Sequence, residues 1–343
     1  MLFRNSLRLF MENFKNVYKI LLYKLVVMVV AAALYSALLL PQVLEILESA
    51  EMTGLIANVK DFVFAFFDGR AESLHDLKDG ITASAKEVLA LISSKTLPLI
   101  LSVVGCGIVY LIARFADTLC YFSIGEMLGD KMETYAETPF FSAYVKNLAR
   151  GTAYSAVYVP AVFLFDLLIV GACYFLFFYL LSFLNLFTAL FLSVTCIIVG
   201  NACKLTLTSM WLPAMTADNA PLKEAVKSWN KVDKKLRGGI FSTYLISIYM
   251  IVVVNVIGAI STVGSSLILT LPASYFFFIC LQYVNYYTLT GKKYFLTHER
   301  IVTNEMHGDE SLAVEFIAQA AAEEFKEEEK QEETAAEPQN NER

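Results

Sequence analysis

The chain has 343 residues, 57% of them hydrophobic and 17% charged, with a net charge of −6. Apolar residues in that proportion, bunched into long runs, exclude a soluble globular domain and a disordered chain. The acid is concentrated at one end: residues 305–343 hold 13 Asp and Glu against 3 Lys and Arg, and the other 304 residues carry 20 acids against 24 bases, so no nucleic-acid partner is expected.

In the first 20 residues Phe3, Leu7, Phe10, Phe14, Val17 and Leu21 recur at alternating steps of four and three, with Arg4, Arg8, Lys15 and Lys19 between them. This pattern predicts an amphipathic helix at a membrane surface over residues 1–20. The apolar run that follows continues without a cleavage site and a soluble domain, so it reads as a first span over 21–42 and not as a signal peptide. A second span is expected over 96–114, ending at Arg114. Residues 43–95 have mixed charge and helical spacing, and predict an external helical loop. Its apolar run FVFAFF, Phe62 to Phe67, is too short to cross a bilayer.

From Gly151 to Cys203 the only charged residue is Asp166, and the stretch is long enough for spans at 160–181 and 186–205 with a tight turn around Ser182 to Asn185. A second hairpin is expected at 239–260 and 265–289, turning near Ser261 to Gly264. The expected fold is therefore all-α, a polytopic transmembrane helical bundle of about six spans over residues 21–302. Placing the N-terminus inside puts 22 Lys and Arg on the cytoplasmic side against five outside, which predicts cytoplasmic termini in a cell membrane. Beyond 303 a short helical piece (Leu312, Phe316, Ile317, Ala320) gives way to an acidic, apolar-poor tail. That tail is expected to be largely disordered and free to bind a basic protein partner.

Asp166 is the sharpest single feature, because an ionisable group within a span is costly and faces a polar interior or a watery path. Asp166 and Asn201 lie equally far along the two arms of their hairpin, so they are expected to sit level and hydrogen-bond. The alternatives are a structural clasp and a transport site. Arg114 and Asp117, three residues apart, are expected to form an interfacial ion pair. Trp211, Trp229 and the tyrosines from Tyr283 to Tyr287 read as interface anchors, Pro160 and Pro272 as kinks, and Gly125 with Gly129 as a weak dimerisation motif.

The six cysteines (Cys106, Cys120, Cys173, Cys196, Cys203 and Cys280) form no C-x-x-C pair and read as packing residues. No P-loop, H-E-x-x-H or G-x-S-x-G is present, and His75, His298 and His307 are scattered, so neither an enzyme nor a cofactor or metal site is expected. After the fourth span, Leu222, Ala225, Val226 and Trp229 share one face of an expected connector helix. Lys223, Lys227, Lys231, Lys234, Lys235 and Arg237 would then give a basic surface for membrane lipid headgroups.

The opening SLRLFMENFKNVYKILL and the segment LPAMTADNAPLKEAVKSWNKVDKK carry a resemblance over roughly residues 1–300. The chain resembles uncharacterised bacterial multi-pass membrane proteins related to the membrane domain of glycerophosphodiester phosphodiesterases. The resemblance implies a helical fold in a bacterial inner membrane. The chain has no room for the phosphodiesterases' soluble catalytic barrel, so no catalytic residue carries over. The leading expectation is a non-enzymatic accessory or scaffold factor contacting lipid headgroups and a partner; the alternative is a small-solute or ion transporter using Asp166.

Overall fold

A computed structural model describes residues 2–68, 73–181, 183, 185–232, 234–297 and 300–303. The acidic tail beyond 303 lies outside these residues. In chain order come α1 (Leu2–Glu12), α2 (Lys15–Leu47), α3 (Ala50–Phe67), α4 (Ser73–Ser94), α5 (Thr96–Thr134), α6 (Phe140–Lys146) and α7 (Leu148–Leu181). Then follow α8 (Leu186–Thr208), α9 (Trp211–Thr216), α10 (Leu222–Lys227), a 3-10 turn (Ser228–Lys231), α11 (Lys234–Ser261), α12 (Leu267–Leu289) and a two-stranded hairpin, β1 (Tyr294–Thr297) and β2 (Arg300–Val302). Among the described residues six helices are long and apolar enough to cross a membrane: α2, α5, α7, α8, α11 and α12. The protein is an all-α, multi-pass membrane protein.

The spanning helices pack in a ring, each against the next in the order α2, α5, α7, α8, α11, α12 and back to α2. Their outward faces expose apolar side chains such as Val26, Val29, Ile108, Leu164 and Leu168, the surface that lipid requires. The turns of both hairpins fall where the apolar runs break. Asn185 caps α8 by accepting from the Thr188 amide at 2.9 Å, and Val263 and Gly264 take positive φ, 51° and 86°, between α11 and α12.

Two helices overrun their expected spans. At about 1.5 Å per residue, the 33 residues of α2 and the 39 of α5 reach roughly 50 and 58 Å, well beyond a hydrocarbon core of about 30 Å. The excess of α5, from about Cys120 to Met132, is its most buried part and forms the centre of the molecule's apolar core with α9 and the second half of α12. This compact end of the bundle also holds α1. The amphipathic helix stops at Glu12, where the Asn13 side chain donates to the Leu9 carbonyl at 2.9 Å, so residues 15–20 belong to α2. One edge of α1 packs on α12, with Leu9 buried and Phe3 and Phe10 against Phe276 and Phe277, while Leu7 and Met11 face outward.

The β-hairpin was not expected from the sequence. Tyr294 and Leu296 alternate inward, and Asn5 donates to the Tyr294 hydroxyl at 3.1 Å, tying the chain after α12 to α1. Burial pushes the Tyr294 phenol above its ordinary pKa.

The segment between α2 and α5 is a pair of helices, α3 and α4, packed on each other. Asn58 of α3 bonds Ser84 of α4 at 2.9 Å, and Glu45 and Lys95 pair at its base. Ala65 is buried there, but Phe64, Phe66 and Phe67 are exposed.

Several assignments are corrected. Tyr283, Tyr286 and Tyr287 are buried in the core and not at a lipid interface, because each hydroxyl has a polar partner inside the protein: Thr216, Asp218 and Glu133 respectively. Trp229 is buried too, and Trp211 packs edge-on against Tyr158. Gly125 and Gly129 face the Tyr283 ring, which leaves no room there for a second copy of the chain.

Candidate functional site

The helix ring holds a partly open cavity of about 320 Å³ lined by α5, α7, α8, α11, α12 and Leu212 of α9. Its wall carries Asp166 of α7, Arg114 and Asp117 of α5, and Asn201 and Lys204 of α8. Asp166 forms an ion pair with Lys204, and the Arg114 guanidinium lies 3.7 Å from its other oxygen. One carboxylate thus joins three helices. The Asp166 and Arg114 side chains are each 30% exposed and Lys204 11%. The ions are therefore neither sealed nor free in solvent.

The expected bond between Asp166 and Asn201 is not made. Asn201 lines the same cavity, but its amide donates to the Ile197 carbonyl of its own helix at 2.9 Å. Lys204, three residues and just under one turn further on, reaches Asp166 instead. The reason is electrostatic: in a medium of low dielectric constant an opposite charge outbids a neutral amide. The expected pair between Arg114 and Asp117 also gives way to partners on other helices. Arg114 turns to Asp166, and Asp117 lies 3.7 Å from Lys24 of α2. The Lys24 ammonium sits 3.8 Å from the centre of the Tyr275 ring, which stacks on Tyr121.

The remaining wall is aromatic and apolar, with a few polar groups left open. Among the described residues the buried Tyr121 hydroxyl and Asn255 side-chain oxygen have no hydrogen-bond partner, although the Asn255 amide donates to Ser274 at 3.2 Å. The cavity can therefore hold an amphiphile, with its charged part at Arg114, Lys204 and Asp166 and its apolar part against the rings.

Sequence reasoning found Asp166 but not its company. Lys24, Arg114 and Lys204 each stand at the end of an apolar run, where a cation reads as a loop marker. No one-dimensional pattern records that three run-ends converge.

Of the expected basic surface, the structure describes the side chains of Lys223, Lys227 and Arg237. The connector helix breaks: α10 ends at Lys227, a 3-10 turn follows, and Lys234, Lys235 and Arg237 belong to the first turns of α11. Lys223 and Lys227 are exposed. Arg237 turns inward, donating to the Val232 and Asn230 carbonyls at 3.1 and 3.2 Å, with its guanidinium 5.4 Å from the Trp229 ring. The side chains of Lys231, Lys234 and Lys235 lie outside the described residues.

Compared with models of protein families, with curated proteins and with solved structures, the chain matches none. Nothing in those comparisons links it to the membrane domain of the phosphodiesterases.

Proposed function

We propose that this protein is a carrier for a small anionic amphiphile, and that the cavity inside the helix ring is its binding chamber. The observation that supports this most is the ion cluster of Asp166, Lys204 and Arg114 set in the wall of a cavity, where a purely structural clasp would be packed shut. Cations exceed anions at this level, since Lys24, Arg114 and Lys204 face Asp117 and Asp166, so a bound carboxylate or phosphate would balance the surplus. Lys204 holds Asp166 closely and Arg114 does not, which makes Arg114 the group free to take the solute's anion. On this reading the protein is not an enzyme, and lies in a bacterial cell membrane with both termini cytoplasmic.

The test is uptake of labelled medium-chain and aromatic carboxylates and alkyl phosphates into proteoliposomes. Wild-type protein is expected to admit at least one of them, and Arg114→Gln to slow it by about 10- to 100-fold, the worth of one charge-assisted hydrogen bond. Uptake no faster than in empty vesicles across the panel would sink the carrier reading. A second reading, an accessory factor held on anionic headgroups and reaching a partner through its acidic tail, rests on the exposed Lys223 and Lys227.

A further inference from the structure

At the elbow between α1 and α2, a second cavity of about 170 Å³ opens between the start of α2, the last turns of α5 and the loop that follows α5. Three lysines line it, Lys15, Lys19 and Lys131, with Asn13, Asn16 and the single acid Glu137. Lys15 pairs with Glu137, whose carboxyl that contact holds below its usual range. Lys19 donates to the Asn16 side-chain oxygen at 3.0 Å. Lys131 is different. It is only 8% exposed as a residue, and among the described residues its ammonium makes no hydrogen bond or close ion pair; the Tyr135 ring lies 5.1 Å away, and Glu137, whose charge reaches it, is held by Lys15. Two neighbouring acids are already engaged: Glu12 accepts from the Tyr135 hydroxyl at 3.1 Å, and Asp130 from the hydroxyl of Thr138 in the cavity wall.

Three ammonium groups around one carboxylate leave a surplus of positive charge in this recess, and a surplus of that kind attracts an anion. The surroundings indicate where the anion would come from. Leu7, Met11, Tyr18 and Leu22 flank the elbow and are exposed, as residues in contact with lipid are, so the cavity lies at the level of headgroups. We propose that this elbow binds a phosphate-type oxyanion, held by Lys131 and Lys19, and that a phospholipid headgroup supplies it. The site is separate from the chamber inside the ring and does not depend on the carrier reading.

The alternative is that Lys131 merely complements the dipole at the C-terminal end of α5 and needs no ligand. The experiment compares purified full-length wild type, Lys131→Met and Lys19→Gln in nanodiscs of phosphatidylcholine with and without phosphatidylglycerol. The readouts are thermal unfolding and the lipid retained in native mass spectrometry. For wild type, phosphatidylglycerol is expected to raise the unfolding temperature and to be retained preferentially. In Lys131→Met retention should fall about tenfold, Lys19→Gln should weaken it less, and in pure phosphatidylcholine Lys131→Met should be at least as stable as wild type. A Lys223→Gln/Lys227→Gln variant should keep the response.

An unchanged response in Lys131→Met would overturn the proposal. So would a loss of stability in that variant in every lipid, as the dipole reading requires. Inorganic phosphate added to wild type in phosphatidylcholine, against chloride of equal ionic strength, separates the two sources. Stabilisation by phosphate that disappears in Lys131→Met, with no response to phosphatidylglycerol, would keep the oxyanion site but overturn the lipid as its source.

Discussion

Asp166→Asn is expected to destabilise the protein by about 2 kcal/mol, a drop readable in thermal unfolding in nanodiscs. Removing one partner of a fully buried ion pair costs about 3–5 kcal/mol, and the figure is reduced here because the carboxylate is 30% exposed. The loss arises because Lys204 and Arg114 keep their charges, and their shared counter-ion is gone. Removing one of those charges as well should therefore help. Lys204→Met in the Asp166→Asn background is expected to recover part of the loss, although each change alone is harmful. Asn201→Ala should cost less than about 0.5 kcal/mol, since that amide only returns to its own helix. If Asn201→Ala proved as harmful as Asp166→Asn, and the two were coupled, the arrangement of charges described here would be wrong.

Gly125→Ala is expected to cost about 1–2 kcal/mol net. A Cβ there would meet the Tyr283 hydroxyl at 2.8 Å and Leu212 at 3.1 Å. Overpacking of that kind costs about 1–3 kcal/mol, and the better helix propensity of alanine returns at most about 1 kcal/mol. Tyr283→Phe removes the very atom in the way, so Gly125→Ala should be nearly neutral in that background; Leu212 can turn aside. Gly107, on the same helix with nothing within 4 Å of its Cβ position, should accept alanine without loss. A large cost at Gly107 and none at Gly125 would mean that α5 is rotated from the position described. The comparison also bears on oligomerisation, because a dimer built through Gly125 and Gly129 would require Tyr283 to be elsewhere.

The parts legible in the sequence were those fixed by one strong local rule. The bilayer demands long apolar runs, so α7 ends and α8 begins at the expected 181 and 186, and the second hairpin turns between Ser261 and Leu267, close to the expected Ser261–Gly264. Where tertiary packing decides, the sequence was misleading. From Cys120 to Met132 apolar residues alternate with Glu126, Asp130 and Lys131, which reads as an aqueous segment. In the structure it is the core, because α9 and the tyrosines of α12 close over it. The same tyrosines looked like a headgroup belt because composition cannot show that Thr216, Asp218 and Glu133 stand ready to receive their hydroxyls. Asp166 could be singled out, since a lone acid in a long apolar stretch has few innocent explanations. Its partners could not, since they lie 52 residues before it and 38 after it, each at the edge of another span.

The central claim, that the ion cluster borders a hydrated chamber, is tested most directly by thiol labelling in native membrane vesicles. Asn201→Cys and Asn255→Cys, both lining the cavity, are expected to react with a charged, water-borne methanethiosulfonate. Leu168→Cys, on the lipid-facing surface, is expected not to react, because a thiolate does not form in hydrocarbon. Reaction at both cavity positions, slowed by whichever amphiphile the transport assay identifies, is the result this account predicts. Silence at both, with Leu168→Cys equally silent, would mean that the ions form a sealed clasp and that no chamber exists.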